Sequence, residues 1–246
     1  MKRSPLLLFL LVAASLLSVA ADYEVIADKA ARFFRHREWA SASAMYELML
    51  EQAPDVADTY SHAIIAASMR ADTTDEMRLL GQAMQHSIPF DSVMSGVRKI
   101  ALMSGNIDTY EHFLLNAQKS HPWLERAIDR FLLDYYCFRA DGPKMVRYSR
   151  LLLHGLPDNE AFLSTLAQGQ LLEGNVDSAM TTYRNILSLN PDNYEALLYI
   201  GNRACLEIPH SQPARRDSLK RVARTTLQHA YAIRPTPFVA DLLKNL

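Results

Sequence analysis

The sequence predicts an all-α chain, a solenoid of stacked helical hairpins. Apolar residues recur at helical spacing, as Ala179, Tyr183 and Ile186 do at i, i+4 and i+7. Glycine is scarce, at 8 of 246 residues, while alanine, leucine and methionine are abundant, and this composition favours helix over sheet. Prolines that would end helices recur at intervals of 35, 33, 35, 34 and 44 residues: Pro54, Pro89, Pro122, Pro157, Pro191 and Pro235.

The repeat is clearest in residues 160–193. A first helical pattern ends at Gly174 and Asn175, which tolerate the positive φ of a tight turn. A second pattern follows and stops at Pro191, which has no backbone N–H to donate. One hairpin of this size cannot bury both of its apolar stripes, so the pattern predicts further hairpins on either side.

This stretch resembles the tetratricopeptide repeat, a helix–turn–helix unit of about 34 residues. Ala167 and Ala179 occupy the positions of small residues, Tyr183 that of the aromatic and Pro191 that of the terminal proline. The stretch departs from the motif at two positions, with Leu163 where tryptophan is favoured and Gln170 where tyrosine is favoured. The resemblance implies that the hairpins stack into a right-handed superhelical solenoid. The alternative is a helical array of another repeat type.

The same pattern predicts six repeats and a C-terminal capping helix within a domain spanning residues 22–246. The predicted boundaries are about 23–56, 57–90, 91–124, 125–159, 160–193 and 194–235, with the cap at 236–246. In the first repeat Ala30 and Ala42 would let the helices approach, with Phe33 and Tyr46 filling the space between them.

Local signals place the helix boundaries of the other repeats. In the second repeat, Asp72 and the acidic residues after it predict a helix N-terminus. Gly105 and Asn106 mark the turn of the third repeat, and Pro143 would open the second helix of the fourth. The sixth repeat carries about ten extra residues near 207–214, where two prolines predict an irregular insertion.

The first 21 residues predict a secretory signal peptide. Lys2 and Arg3 precede the apolar run 6–17, and the small residues at 18–21 offer a cleavage site. The apolar run is shorter than the ~20 residues of a spanning helix, although an uncleaved membrane anchor is the alternative. The chain holds no N-x-Ser/Thr site, so we expect a bacterial exported protein, periplasmic or secreted.

Charge and cysteine content limit the possible partners. The formal net charge is −1, or about −3 without residues 1–21, so no general attraction to nucleic acid or to an anionic membrane is expected. Cys137 and Cys205 lie 68 residues apart, about two repeats. Because that separation exceeds what a disulfide can span, we expect two free and mostly buried thiols.

No catalytic or metal-binding motif is present in the sequence. It lacks His-Glu-x-x-His, Cys-x-x-Cys, a glycine-rich phosphate loop and Gly-x-Ser-x-Gly. Asp108, His112 and His121 would lie on different sides of one helix, so we do not predict a metal site there. The sequence therefore predicts a non-enzymatic protein without a cofactor. An enzyme would need a pocket with titratable groups, and the insertion at His210 is the only candidate position for such a site.

The resemblance implies that partners bind in a concave groove lined by the first helices of the repeats. The positions expected to contact a partner are Phe34, Met69, Lys99, Met103, Arg126, Tyr136, Gln168, Leu172, Asn202 and Leu206. Such a row would hold a peptide by apolar contact with polar rims, although part of it would be core if the helical phase differs by one residue. Lys99 and Arg126 alone do not form the cationic cluster with which some family members hold a chaperone tail.

Five basic residues cluster after the insertion, and they would meet an acidic partner or remain a solvated face: Arg215, Arg216, Lys220, Arg221 and Arg224. The leading hypothesis is a protein- or peptide-binding scaffold of the bacterial cell envelope. The alternative is a membrane-anchored adaptor in secretion or outer-membrane assembly machinery.

Overall fold

The protein is built from α-helices joined by short turns. The computed structural model describes residues 22–246, and the predicted signal peptide at 1–21 lies outside them. The α-helices are α1 (22–35), α2 (Trp39–Gln52), α3 (Ala57–Ser68), α4 (Thr73–Gln85), α5 (Phe90–Met103), α6 (Ile107–Ser120), α7 (Glu125–Arg139), α8 (Gly142–Gly155), α9 (Glu160–Leu172), α10 (Val176–Leu189), α11 (Tyr194–Glu207), α12 (Pro213–Ile233) and α13 (Pro237–Lys244). Short 3₁₀ turns span Pro122–Leu124 and Ile208–His210.

Consecutive helices pair into hairpins, from α1 with α2 to α11 with α12, and α13 packs against the last pair. The predicted all-α architecture of stacked helical hairpins is confirmed for the described residues. The chain divides into a first unit that ends at Ile128 and a second unit that begins at Asp129, within α7.

A left-handed residue closes each of the first five hairpins. These residues have φ between +51° and +76°, and they are Arg37, Ala71, Gly105, Ala140 and Gly174.

A second interaction recurs at these turns. The next residue donates its backbone N–H to the carbonyl five residues earlier, as Asn175 does to Gln170 at 2.8 Å. This arrangement satisfies carbonyl groups that the end of a helix leaves free, so each turn stabilises the helix before it.

The core of the first unit lies between α2, α3, α4, α5 and α6. Small residues at helix crossings, such as Ala63 and Ala67, are fully buried and let α3 approach its neighbours closely. The large buried side chains Tyr60, Leu80 and Phe113 fill the remaining space. Burial of each leucine-sized side chain contributes about 1.5–3 kcal/mol, so these contacts dominate the stability of the unit.

The core of the second unit repeats this packing. Ala167 and Ala179 are fully buried where α9 and α10 cross, and Tyr183 packs beside them, as the motif implies. Gln170, where the motif favours tyrosine, is also buried. Its side-chain oxygen accepts a hydrogen bond from the Thr182 hydroxyl at 2.9 Å, which offsets the cost of burying an amide.

The predicted helix signals of the second and fourth repeats are confirmed. The Asp72 carboxylate accepts the backbone N–H of Asp75 at 3.0 Å, and that of Asp141 accepts the N–H of Lys144 at 3.1 Å. Pro143 lies in the first turn of α8, where its missing N–H costs nothing.

The insertion of the sixth repeat is more regular than predicted. Glu207 ends α11, while Pro213 and Ala214 already belong to α12, so only 208–212 lie outside α-helix. Pro213 opens α12 rather than breaking it, because a proline at the start of a helix loses no intrahelical bond. The predicted cap is confirmed as α13, whose N-cap is Thr236.

Candidate binding site

The first unit contains an open pocket of about 540 Å³ formed by α1, α2, α3 and α5. Its apolar wall consists of Phe34, Trp39, Tyr46, His62, Ile100 and Met103. Its polar lining includes Asp28 and two arginines at the end of the first helix and in the turn after it, Arg35 and Arg37. The pocket therefore combines aromatic contact area with charged groups, as protein-binding surfaces do.

The aromatic wall is held in place by its own contacts. The ring centroid of Phe34 lies 5.2 Å from Trp39 and 5.3 Å from His62, with the rings nearly perpendicular in both pairs. The His62 ring lies 5.5 Å from Tyr46, and its Nδ1 is 2.9 Å from the Asp58 carbonyl oxygen. Edge-to-face contacts of this kind are favourable, so the wall is preorganised for a ligand.

Tyr46 contributes a neutral phenol to this wall. Burial raises the pKa of Tyr46 far above its ordinary value, and the nearby Asp58 carboxylate raises it further. The phenol therefore keeps its proton throughout the physiological range and presents an uncharged ring to the pocket.

The predicted contact residues of the first unit fall into two groups. Phe34 and Met103 line the pocket, and the Met103 side chain is 78% exposed. Met69 is partly exposed, and Lys99 and Arg126 are exposed, but none of these three lines the pocket.

In the second unit, Leu172 and Leu206 are exposed by 55% and 57%. Gln168 is exposed and donates a hydrogen bond to Glu195 at 2.9 Å, and Asn202 is partly exposed.

Tyr136 does not belong to the exposed row. Its side chain is only 2% exposed, stacks on Tyr148 with ring centroids 5.2 Å apart, and is covered by the Lys144 ammonium. The fourth hairpin turns at Ala140, 35 residues after the previous turn at Gly105, whereas Tyr136 lies only 33 residues after Met103, so the predicted position falls two residues short. The residue equivalent to Met103, two before the turn, is Phe138, which is 53% exposed.

Sequence reasoning also missed two walls of the pocket. Trp39 and Tyr46 come from α2, a second helix, whereas the groove was expected from first helices alone. The available signal was local composition, because four aromatic residues lie between positions 33 and 46: Phe33, Phe34, Trp39 and Tyr46.

The basic cluster lies on the N-terminal half of α12, and all five of its residues are exposed. Arg215 pairs with Glu207 at 3.2 Å, and Arg216 donates its Nε hydrogen to the Ser211 carbonyl at 2.9 Å. His210 lies in the 3₁₀ turn before this helix and is exposed. A cleft beside the insertion is lined by Glu207, Arg215 and Leu219 among others, and His210 is not part of its lining.

The two cysteines are free, as expected, but less buried than expected, since Cys137 is exposed and Cys205 partly exposed. Within residues 22–246 no helix has the length and apolar character needed to cross a membrane. In the same range, no group of three histidine, cysteine or acidic side chains is arranged to hold a metal ion.

Comparison with known proteins gives a likeness at the level of structure. No protein-family model matches the sequence, and no curated protein matches it. A crystal structure of a protein from Bacteroides ovatus ATCC 8483 is 20% identical, with a TM-score of 0.52 over 77% of this chain and 95% of the other.

Two further solved structures are similar with lower TM-scores. YrrB, a TPR protein with an unusual peptide-binding site, gives 0.48 at 12% identity, over 82% of this chain and 98% of the other. Pseudomonas aeruginosa pilF gives 0.46 at 11% identity, over 93% and 99%. The Bacteroides ovatus structure shares the arrangement of paired helices over 77% of the chain. The paired helices and the turns recurring about every 34 residues give the described residues the fold of tetratricopeptide repeat proteins.

Proposed function

We propose that this protein is a non-catalytic scaffold that binds a protein or peptide partner through the pocket of its first unit. The observation that carries the proposal is the aromatic-walled pocket with Met103 exposed at its edge. Residues that dominate binding energy at interfaces are enriched in tryptophan, tyrosine and arginine, and Trp39, Tyr46, Arg35 and Arg37 all line this pocket.

The second unit carries a row of exposed apolar side chains of its own. Phe138, Leu172 and Leu206 occur at equivalent positions near the ends of α7, α9 and α11, and each is more than half exposed. Isolated apolar side chains on a surface are ordinary, but a repeated row offers contacts at regular intervals along a bound chain. Basic helix α12 adds a surface that favours an acidic partner.

The proposed location is the bacterial cell envelope, and the support is the sequence of residues 1–21. The alternative is an adaptor held at the membrane by an uncleaved N-terminal segment, serving secretion or outer-membrane assembly machinery. Intact-mass measurement of the protein from fractionated cells separates the two. A mature chain starting at Ala21 or Asp22 in the soluble envelope fraction supports export and excludes the anchor.

Purification from envelope extracts tests the binding function. We would compare the wild type with Met103→Glu, which places a charge at the pocket, and with Leu48→Glu on α2, where the side chain is 39% exposed and does not line the pocket. A partner recovered with the wild type and Leu48→Glu but lost with Met103→Glu supports the proposal. Recovery of the same proteins with all three would count against it.

A further inference from the structure

Helix α12 is half again as long as the second helices of the other hairpins. It has 21 residues, whereas α2, α6, α8 and α10 have 14 each and α4 has 13. Its buried residues are Ala223, Leu227 and Ala230, so the additional turns at 213–222 contribute no fully buried side chain. Burial in the core therefore does not account for this extension.

The extension carries an unbalanced positive charge. Asp217 is the one acidic residue between Pro213 and Arg224, against five basic ones. Arg215 and Arg216 lie in the first turn, where the helix dipole disfavours cations and which holds no acidic residue; Glu207 of α11 pairs with Arg215 at 3.2 Å and offsets only part of this charge. An acidic group from outside the helix would relieve this repulsion.

Three of the cations form a stripe. Arg216, Lys220 and Arg224 are spaced by four residues and so lie along one side of the helix, about 6 Å apart in rise. Within residues 22–246, neither the Lys220 side chain nor the Arg224 side chain has an ion-pair or hydrogen-bond partner. Like charges at this spacing destabilise a helix unless another charge compensates them.

We propose that this stripe is a docking surface for an acidic helical segment of a protein partner. A helix with carboxylates at i, i+4 and i+8 spaces them along its axis by the same distance, about 6 Å, as the cations of the stripe. Each carboxylate can therefore meet one cation. The site belongs to the second unit and does not depend on the pocket of the first; it deepens the part of the proposed function in which α12 favours an acidic partner, because it specifies the chemistry and spacing of that partner.

A protein partner fits the stripe better than a membrane or nucleic acid does. A helix that binds at a membrane surface needs an extended apolar face beside its cations, but the large apolar side chains of residues 213–222 are limited to the partly exposed Leu219 and to Val222, which is 41% exposed. Nucleic-acid binding relies on a positive field over an extended surface, whereas this chain has 27 acidic against 26 basic residues.

A pair of labelled peptides tests this inference. The probe is an alanine-based helical peptide with a fluorescein label and glutamates at i, i+4 and i+8, and its control has the same composition with the glutamates spread around the helix. We expect fluorescence anisotropy at low ionic strength to show tighter binding of the first peptide to the full protein, weakening with added salt.

Two double variants locate the contact. Lys220→Glu with Arg224→Glu reverses two charges of the stripe, and Arg147→Glu with Arg150→Glu makes the same charge change at exposed positions of α8. We expect the first pair to weaken binding of the striped peptide by at least about fivefold, and the second by less than about twofold. Circular dichroism would confirm that both remain helical.

Each of several results would overturn the inference. The two double variants could lose affinity for the striped peptide equally, the wild type could bind the two peptides equally tightly, or it could bind neither peptide. Stripe-dependent binding of single-stranded DNA or of phosphatidylglycerol vesicles, with none of the peptide, would assign the surface to another class of partner. Partner recovery with Met103→Glu is measured separately, so failure at the stripe leaves the proposed function open to its own test.

Discussion

Tyr136 and Phe138 lie two residues apart on α7 and differ sharply in exposure, at 2% and 53%. Replacing Tyr136 with alanine removes a buried ring stacked on Tyr148, so we expect the free energy of unfolding to fall by about 3 kcal/mol or more. Phe138→Ala removes a side chain that is largely solvated, and we expect a loss below about 1 kcal/mol. Urea unfolding of both variants measures the difference. Equal losses would contradict the assignment of Tyr136 to the core.

Ionisation of the Tyr183 phenol makes the free energy of unfolding depend on pH in the alkaline range. Burial raises the pKa of Tyr183 well above its ordinary value, and the Glu195 carboxylate, which accepts the phenol hydrogen bond at 3.2 Å, raises it further. The unfolded chain releases this proton near pH 10 while the folded chain keeps it, so the contribution is present below about pH 10 and is lost as the pH rises further.

The measurement is the free energy of unfolding between about pH 9 and 11. We expect a shallower fall with pH for Tyr183→Phe than for the wild type, because the substituted ring has no proton to release. The exposed Tyr231→Phe serves as the control and should follow the wild type. Superposable curves for the wild type and Tyr183→Phe would contradict the role of this phenol.

At the scale of the helical elements, the left-handed turn residue differs in cost between hairpins. Ala140 has φ of +51°, a conformation that an alanine adopts at a cost of about 1 kcal/mol. We expect Ala140→Gly to stabilise the protein by about 0.5 kcal/mol, since glycine relieves the strain but adds freedom to the unfolded chain.

Gly174 provides the opposite substitution. Its φ is +76°, and no atom lies within 4 Å of the position a Cβ would take, so the cost of Gly174→Ala is conformational. We expect a loss of about 1 kcal/mol, measured by the same urea unfolding. Opposite signs for the two variants support the turn geometry, and destabilisation by Ala140→Gly would contradict it.

The helical elements were largely predictable because their boundaries depend on local chemistry. Asp72 and Pro143 act on the backbone groups nearest to them, so their effect can be inferred from sequence alone. The insertion was less predictable. Its two prolines predict irregular structure throughout, whereas Pro213 lies at the start of α12. The residues next to a proline in the sequence do not show whether it begins a helix or breaks one.

At the scale of the whole molecule, the period predicts the hairpins but not the residues that face a partner. Tyr136 falls two residues short of Phe138 because the two turns are 35 residues apart and not 33, and each residue of shift rotates a position around the helix by about 100°. In the pocket wall, the contact of the His62 ring with Phe34 joins two different hairpins, and the sequence of a single hairpin does not specify such a contact. Core positions, which small residues mark, were therefore easier to predict than the binding surface.

Site-specific photo-crosslinking is a direct test of whether the pocket of the first unit holds a partner. A benzophenone amino acid would replace Met103 at the pocket, or Leu48 on the exposed side of α2 as the matched control. We expect one discrete adduct from position 103 in cells, identified by mass spectrometry and absent from position 48. The same adducts from both positions, or none from either, would contradict it.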